Sequence, residues 1–163
     1  MWNTLTESNY GAYIAYSNVT LVYNNFKSND IGLQVHESEI VCYLNNFIDN
    51  MVQVSINGGA RMFSPYVLSY YYKGLVYRSY MGNYWSNYVG TDADGNGIYD
   101  SPYSIDYYPL VEPFENYRIL GTTLIASIYP QDYILETPVN SSIVFSIELY
   151  DNASVMWYIN GTL

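Results

Sequence analysis

Basic residues and cysteine are both scarce in this sequence. Five Lys and Arg residues stand against 15 Asp and Glu residues, which gives a formal net charge of −10 over 163 residues. Nucleic acids and anionic membranes attract basic surfaces, so this balance argues against both as partners. The single cysteine, Cys42, has no second cysteine with which to form an internal disulfide.

Long apolar segments are also missing. No apolar run reaches the roughly 18 residues that a membrane-spanning helix needs. Met1 is not followed by a charged and then an apolar segment, which is the pattern of a secretion signal. The sequence therefore predicts neither a membrane span nor a leader in this part of the protein.

The residues that are plentiful favour β-structure. Tyrosine occurs 22 times, and Asn, Ser, Val and Ile are common, whereas the helix formers Lys, Glu and Ala are sparse. Aromatic and β-branched residues fit the pleated surface of a sheet, and Asn and Ser fit turns. This composition predicts an all-β protein.

A repeat with a period of 21 residues occupies the N-terminal third. Residues 11–26 align with residues 32–47. A period near 20 with short apolar runs and Asn-rich corners is typical of a β-solenoid, in which like residues stack on like. We predict that aligned residues lie one strand spacing apart, about 4.8 Å. The aligned pairs include Ile14 and Val35, Val19 and Ile40, Phe26 and Phe47, Asn24 and Asn45, and Asn25 and Asn46.

A third and degenerate coil follows over residues 51–71. We expect Leu68 to follow Phe47 in the interior stack, although the Asn pair is lost and Gly58 and Gly59 are inserted. A terminal coil of a solenoid needs a cap. The decay of the repeat therefore indicates that this coil leads into an end cap.

The stretch 92–100, DADGNGIYD, has the oxygen spacing of a calcium loop. Carboxylate or amide side chains recur at alternate positions, and Gly97 allows the sharp turn that brings them inward. The predicted ligands of one calcium ion are Asp92, Asp94, Asn96, the carbonyl of Ile98, and Asp100. The pattern resembles that of thrombospondin type 3 and dockerin-like repeats, and implies a weak, structural site. The alternative is a solvated acidic turn that binds no metal.

The repeat and the block after it resemble a known family. GLQVHESEIVCYLNNFIDN is similar to the parallel β-helix repeat of archaeal surface-layer-associated proteins and of NosD-type periplasmic copper-processing proteins. NYWSNY, TDADGNGIYDSPYSID and YYPL resemble the block that closes the helix in many of those proteins. The resemblance covers residues 11–113, and it implies a right-handed parallel β-helix in a surface protein.

Copper binding and catalysis each have few candidate residues. Copper needs soft or imidazole ligands, and besides scattered methionines only His36 and Cys42 are present. We interpret them as a surface histidine and a buried thiol.

A lyase needs clustered basic residues and a hydrolase needs two carboxylates across a groove. The basic residues are scattered, so we expect no enzyme. The carboxylates that could line one face of the helix are Asp30, Asp49, Glu37 and Glu39.

Aromatic residues crowd the stretch 66–88. Rings exposed in a row can stack on sugars or pack against a partner. Rings that point inward would instead cover the open end of the solenoid. We predict the inward arrangement for Trp85, and both arrangements stay open for the tyrosines.

Three segments are predicted along the chain. Residues 1–81 form the coils, residues 82–117 form a closing cap with the calcium-type loop, and residues 118–163 begin an immunoglobulin-like β-sandwich. Trp157 stands where such a sandwich places its core tryptophan.

The last segment supplies too few strands for a sandwich. Residues 124–129, 142–149 and 154–159 have strand composition and are separated by turn residues. Because a half sandwich leaves an unpaired edge, we expect it to borrow strands from sequence beyond Leu163 or from a neighbouring subunit.

Acceptor motifs for N-glycosylation indicate an extracellular protein. They begin at Asn18, Asn140, Asn152 and Asn160. We expect a piece of a larger exported protein at the cell surface, with a structural role as a surface-layer component or filament subunit stabilised by calcium. The alternatives are a carbohydrate-binding module and, third, a glycan-cleaving β-helix enzyme. Expected partners are calcium, glycans and further subunits.

Overall fold

The structure is a computed structural model that describes residues 3–120, 125–129 and 146–149. The chain divides into two compact units, residues 1–120 and 121–163. In the second unit, β12 (Ile125–Tyr129) pairs antiparallel with β13 (Ser146–Leu149). The predicted strand at 154–159, including Trp157, lies outside the described residues.

The first unit is a parallel β-helix whose coils have three walls. The first wall contains β1 (Asn3–Thr6), β4 (Asn24–Lys27), β6 (Asn46–Ile48) and β10 (Tyr84–Trp85), all parallel. The second and third walls contain β2 (Tyr10–Ala15), β3 (Asn18–Val22), β5 (Ile31–Tyr43) and β7 (Val52–Arg61), also parallel. Both β2 and β3 pair with β5, because β5 runs through a corner from one wall to the next. The predicted all-β parallel β-helix is confirmed.

The register between coils follows the 21-residue repeat. Ile14 pairs with Val35, Val19 with Ile40, and Phe26 with Phe47. The predicted stacking of these pairs is therefore confirmed.

Single residues with left-handed backbone conformation make the corners. A non-glycine residue in this region costs roughly 1–2 kcal/mol, but it turns the chain within one position. These residues recur every 21 positions because every coil turns at the same places. They are Tyr16 and Glu37 at the first corner, Tyr23 and Leu44 at the second, and Glu7, Ser28 and Asp49 at the third.

Asn or Ser follows each corner residue and links successive coils. At the second corner, the backbone N–H and the side-chain amide of Asn24 both donate to Asn45 Oδ1 at 3.0 Å. At the third corner, the N–H of Asn29 donates to Asn50 Oδ1 at 3.0 Å. Asn46 also donates to Asn25 Oδ1. The predicted asparagine ladder is confirmed, and it forms at both Asn24/Asn45 and Asn25/Asn46.

An aromatic stack fills the core behind the first wall. The rings of Phe26 and Phe47 lie 4.8 Å apart, and those of Phe47 and Trp85 lie 4.5 Å apart. Trp85 is buried, so the prediction that it covers the end of the core is confirmed. The expectation that Leu68 follows Phe47 is wrong, because Trp85 occupies that place.

A β-hairpin interrupts the third coil and explains this difference. The chain leaves the coil after Met62, forms β8 (Leu68–Tyr72) and β9 (Leu75–Ser79), and returns at Gly82. β11 (Arg118–Leu120) pairs with the other edge of β8, and a 3₁₀ helix (Phe114–Asn116) precedes it.

The hairpin covers a second core cluster. Alternate residues of β8 point inward, so Tyr70 and Tyr72 are buried while Tyr71 is exposed. The aromatic run is thus divided between core and surface, and Tyr66 is also exposed.

Candidate functional site

The predicted calcium loop is a series of turns, and its own side chains accept hydrogen bonds from its backbone N–H groups. The carboxylate of Asp92 accepts hydrogen bonds from the N–H groups of Asn96 and Gly97, both at 3.0 Å. The carboxylate of Asp94 accepts from the N–H of Asn96 at 3.1 Å and from its side-chain amide at 2.9 Å. Both carboxylates therefore satisfy backbone donors of the loop.

The other predicted ligands are used in the same way. The carboxylate of Asp100 accepts from the N–H of Ala93 at 3.0 Å. Asn96 Oδ1 accepts from the N–H of Ile98 at 2.7 Å, and Ile98 is buried beside Leu110. The structure brings the five predicted residues into one loop. The side chains of Asp92, Asp94, Asn96 and Asp100 stabilise its turns, as Asp and Asn often do, and Ile98 takes part through its backbone.

A buried carboxylate, which sequence reasoning missed, holds the end of the β-helix closed. Asp106 Oδ2 accepts from the N–H of Asn83 at 2.8 Å and from Trp85 Nε1 at 2.9 Å. Asp106 Oδ1 accepts from the N–H of Tyr108 at 3.1 Å. A Cβ at Gly82 would collide with this carboxylate and would displace it from its hydrogen bonds. We call Asp106, Asn83 and Trp85 the closing clasp.

Burial and hydrogen bonding act in opposite directions on Asp106. Loss of solvent raises the pKa of this carboxyl to about 7, while the hydrogen bonds from Trp85, Asn83 and Tyr108 lower it. The signal in the sequence was the SPYSID block itself, in which Asp106 is the only carboxylate.

Cys42 is fully buried in the core. Its sulfur accepts from Asn45 Nδ2 at 3.3 Å and lies 3.7 Å from Asn83 Oδ1. Burial, and secondly the charge of Asp106, raise the pKa of the thiol. The interpretation of Cys42 as a buried thiol is confirmed.

His36 is partly exposed on the outside of β5. Its Nε2 lies 3.4 Å from the hydroxyl of Tyr16 and 3.8 Å from Glu37 Oε1. The rings of Tyr16 and His36 meet edge to face, with centroids 5.5 Å apart. The interpretation of His36 as a surface histidine is confirmed.

An open groove follows the first corner along the outside of the coils. It has a volume of about 410 Å³. A neighbouring depression of about 510 Å³ shares Asn18 and Glu39 with it and reaches Arg61. The groove is lined by Tyr16, Ser17, Asn18, Glu37, Glu39 and Gly58, among others.

The carboxylates weighed for catalysis lie at different corners. Glu37 and Glu39 line the groove at the first corner. Asp49 is a residue of the third corner, where it accepts a hydrogen bond from the hydroxyl of Ser86 at 3.2 Å. Asp30 is exposed beside the ladder asparagine Asn29.

Comparison with known protein families identifies one family that matches the chain. Residues 2–90, more than half of its 163 residues, match the family described as periplasmic copper-binding protein (NosD). The chain belongs to the NosD family. No curated protein and no solved structure matches it. A periplasmic family agrees with a location in the cell envelope or outside it, and no helix among the described residues is long and apolar enough to cross a membrane.

The calcium prediction is wrong. The NosD family is described as copper-binding. Within the part of the chain that the structure describes, no group of three or more His, Cys, Asp and Glu side chains is placed to hold a metal ion. The physical reason is that Asx turns need the same residue types at the same spacing as a calcium loop, and here the oxygens face N–H groups of the loop.

The residues available for copper do not fit that metal either. Copper ligands are thiolate, thioether and imidazole groups that converge on one point. His36 is outside β5, and Cys42 is a thiol in the core whose pKa is raised by burial. Met62 and Met81 are buried in separate core clusters. Among the described residues, Cys42 and Met62 share one core cluster, whereas Met81 lies in the other and His36 lies outside β5, so no imidazole joins the buried sulfur side chains.

One of the predicted glycosylation sites can be located. Asn18 begins β3 and is exposed, so its side chain is open to modification. Asn140, Asn152 and Asn160 lie outside the described residues.

Proposed function

We propose that this chain is a structural component of the cell surface, such as a surface-layer or filament subunit, and not an enzyme or a copper carrier. The observation that carries the proposal is the continuous set of side-chain ladders along the helix axis. Asn3, Asn24, Asn45 and Asn83 form one unbroken series of hydrogen bonds across four levels of the stack.

The ladders stabilise the corners of the coils, where the backbone is strained. Each corner holds a residue in the left-handed region. Each buried asparagine, in turn, satisfies backbone groups that a corner would otherwise leave unpaired. Asn45, for example, donates to the carbonyls of Leu21 and Tyr43 at 2.8 and 2.9 Å. A net gain of roughly 1 kcal/mol per hydrogen bond, repeated at every level, stabilises the stack of coils.

The distribution of reactive groups supports a non-catalytic role. Both carboxylates at the first corner belong to a polar groove, and the strongly perturbed carboxyl, Asp106, is enclosed by the closing clasp. Perturbed groups in enzymes usually lie in open clefts. Here the carboxyl with the perturbed pKa, Asp106, accepts the hydrogen bonds that hold the end of the β-helix closed.

The second unit fits a role in assembly. The antiparallel pair of β12 and β13 supports an immunoglobulin-like sandwich of the kind that follows β-helices in archaeal surface proteins. In this proposal the sandwich obtains its remaining strands from a longer chain or from a neighbouring subunit.

Antibody labelling of intact cells, with electron microscopy of envelopes from cells that lack the gene, tests this function. We expect labelling without permeabilisation, a disordered or missing surface array in the deletion strain, and unchanged copper content of the envelope proteins. Labelling only after permeabilisation, together with loss of copper from envelope proteins, would overturn the proposal in favour of copper handling.

A further inference from the structure

The groove at the first corner exists because the third coil has no side chains there. Gly58 lies opposite Ser38, and Gly59 lies opposite Glu39, in the pairing of β5 with β7. At the aligned positions, the first two coils carry polar side chains, such as Asn18 and Glu39 opposite Gly59. Gly58 therefore lines an open groove that the first two coils border, and Gly59 follows it in the third coil.

Gly59 also determines where the Glu39 carboxylate lies. A Cβ at position 59 would collide with both carboxylate oxygens of Glu39. Without that Cβ, the carboxylate rests against the backbone of the third coil and lines both depressions. Because the obstructed group is the end of a flexible side chain, a methyl group at 59 would move the carboxylate and leave the fold intact.

Tyr16 supplies an aromatic ring to the lining of the groove. It is 72% exposed, yet the edge-to-face contact and the hydroxyl contact with His36 hold it in place. An exposed aromatic ring held by its neighbours loses little freedom when a ligand stacks on it.

The groove thus combines a ring for stacking with hydrogen-bonding groups. Asn18 offers a donor and an acceptor, and Glu37 and Glu39 offer carboxylate acceptors. Sugars present apolar ring faces together with hydroxyl groups, which are donors that carboxylates bind strongly. From the first to the third coil the groove spans two strand spacings, about 10 Å, which suits a short oligosaccharide.

We propose that this groove binds a neutral oligosaccharide, with Tyr16 stacking on a sugar ring and Glu39 accepting hydrogen bonds from its hydroxyls. Uronate-containing chains are disfavoured because two carboxylates line the groove and the whole chain has a net charge of −10. This inference is independent of the structural role, since a surface subunit need not bind sugar.

Isothermal titration of the full chain, produced without glycosylation, with cellohexaose, mannohexaose and chitohexaose tests the proposal. We expect at least one of these to bind with a 1:1 stoichiometry. Tyr16→Ala, Glu39→Gln and Gly59→Ala should each weaken that binding at least tenfold. Tyr13→Ala is the matched control, because Tyr13 is 55% exposed on β2 but does not line the groove.

Thermal melting of each variant separates a loss of binding from a loss of folding. Circular dichroism should show unchanged melting for Glu39→Gln, because the side chain of Glu39 is exposed. Absence of binding by all three hexasaccharides would overturn the proposal. So would binding that Tyr16→Ala and Glu39→Gln leave unchanged, or tighter binding of polygalacturonate than of the neutral chains.

Discussion

Truncation of Phe47 measures how much the aromatic stack contributes to the stability of the β-helix. Phe47 is 0% exposed, and its ring is nearly parallel to those of Phe26 and Trp85, at 11° and 9°. Phe47→Ala removes the ring and leaves a cavity between two aromatic neighbours, a change that costs about 3–5 kcal/mol in a protein core. Each stacked pair accounts for about 0.5–1.5 kcal/mol of that loss.

Urea unfolding followed by far-ultraviolet circular dichroism provides the assay, because fluorescence of Trp85 would itself change with its neighbour. Phe47→Leu, which keeps part of the apolar volume, should cost less than Phe47→Ala. Tyr13→Ala, on the outer surface, should change the free energy of unfolding by about 0.5 kcal/mol or less. Equal midpoints for Phe47→Ala and the wild type, at equal slope, would refute the stacked core.

Three further outcomes follow from the buried polar groups. Asn45→Ala should cost about 3 kcal/mol or more in urea unfolding, because it leaves several buried backbone groups unpaired; a cost like that of an exposed Asn18→Ala would contradict the ladder. Burial raises the pKa of Asp106 from 3.8 to about 7, so the folded state binds the proton more tightly and the contribution of Asp106 to stability falls as pH rises through that range. The difference in unfolding free energy between the wild type and Asp106→Asn should therefore shrink as the pH rises from 4 to 7. A difference that grows with pH would show that the carboxylate is ionised throughout this pH range. The Cys42 thiol should react with Ellman's reagent only in denaturant; rapid reaction of the native chain would place it at the surface.

The repeat could be predicted because its physical basis is local. Residues at the same position in successive coils contact each other, so Phe26 and Phe47, or Asn24 and Asn45, repeat in the sequence as they stack in space. A period of 21 residues therefore determines the register directly.

The closure of the helix could not be predicted in this way. Trp85 takes the place after Phe47 although it lies 38 positions further on, because a hairpin intervenes. Asp106 stands among turn residues in the sequence, and its burial depends on Trp85, 21 positions away. The first contact does not keep the 21-residue spacing, and the second joins Trp to Asp, two residue types that the aligned coils do not pair.

The calcium prediction failed for a related reason. The spacing of Asp92, Asp94 and Asn96 is the same whether their oxygens converge on an ion or on backbone N–H groups. Only the direction of the side chains separates the two cases, and here they point to the N–H groups of Asn96, Gly97 and Ile98.

Titration with Cu(I) under anaerobic conditions tests the central claim most directly, since copper handling is the function that the family description suggests. The full chain should be titrated in competition with bicinchoninate, with Cys42→Ser as the matched variant. A structural protein should leave the copper with the competitor, and the wild type and Cys42→Ser should behave alike. Retention of one copper ion per chain that is lost in Cys42→Ser would contradict the account.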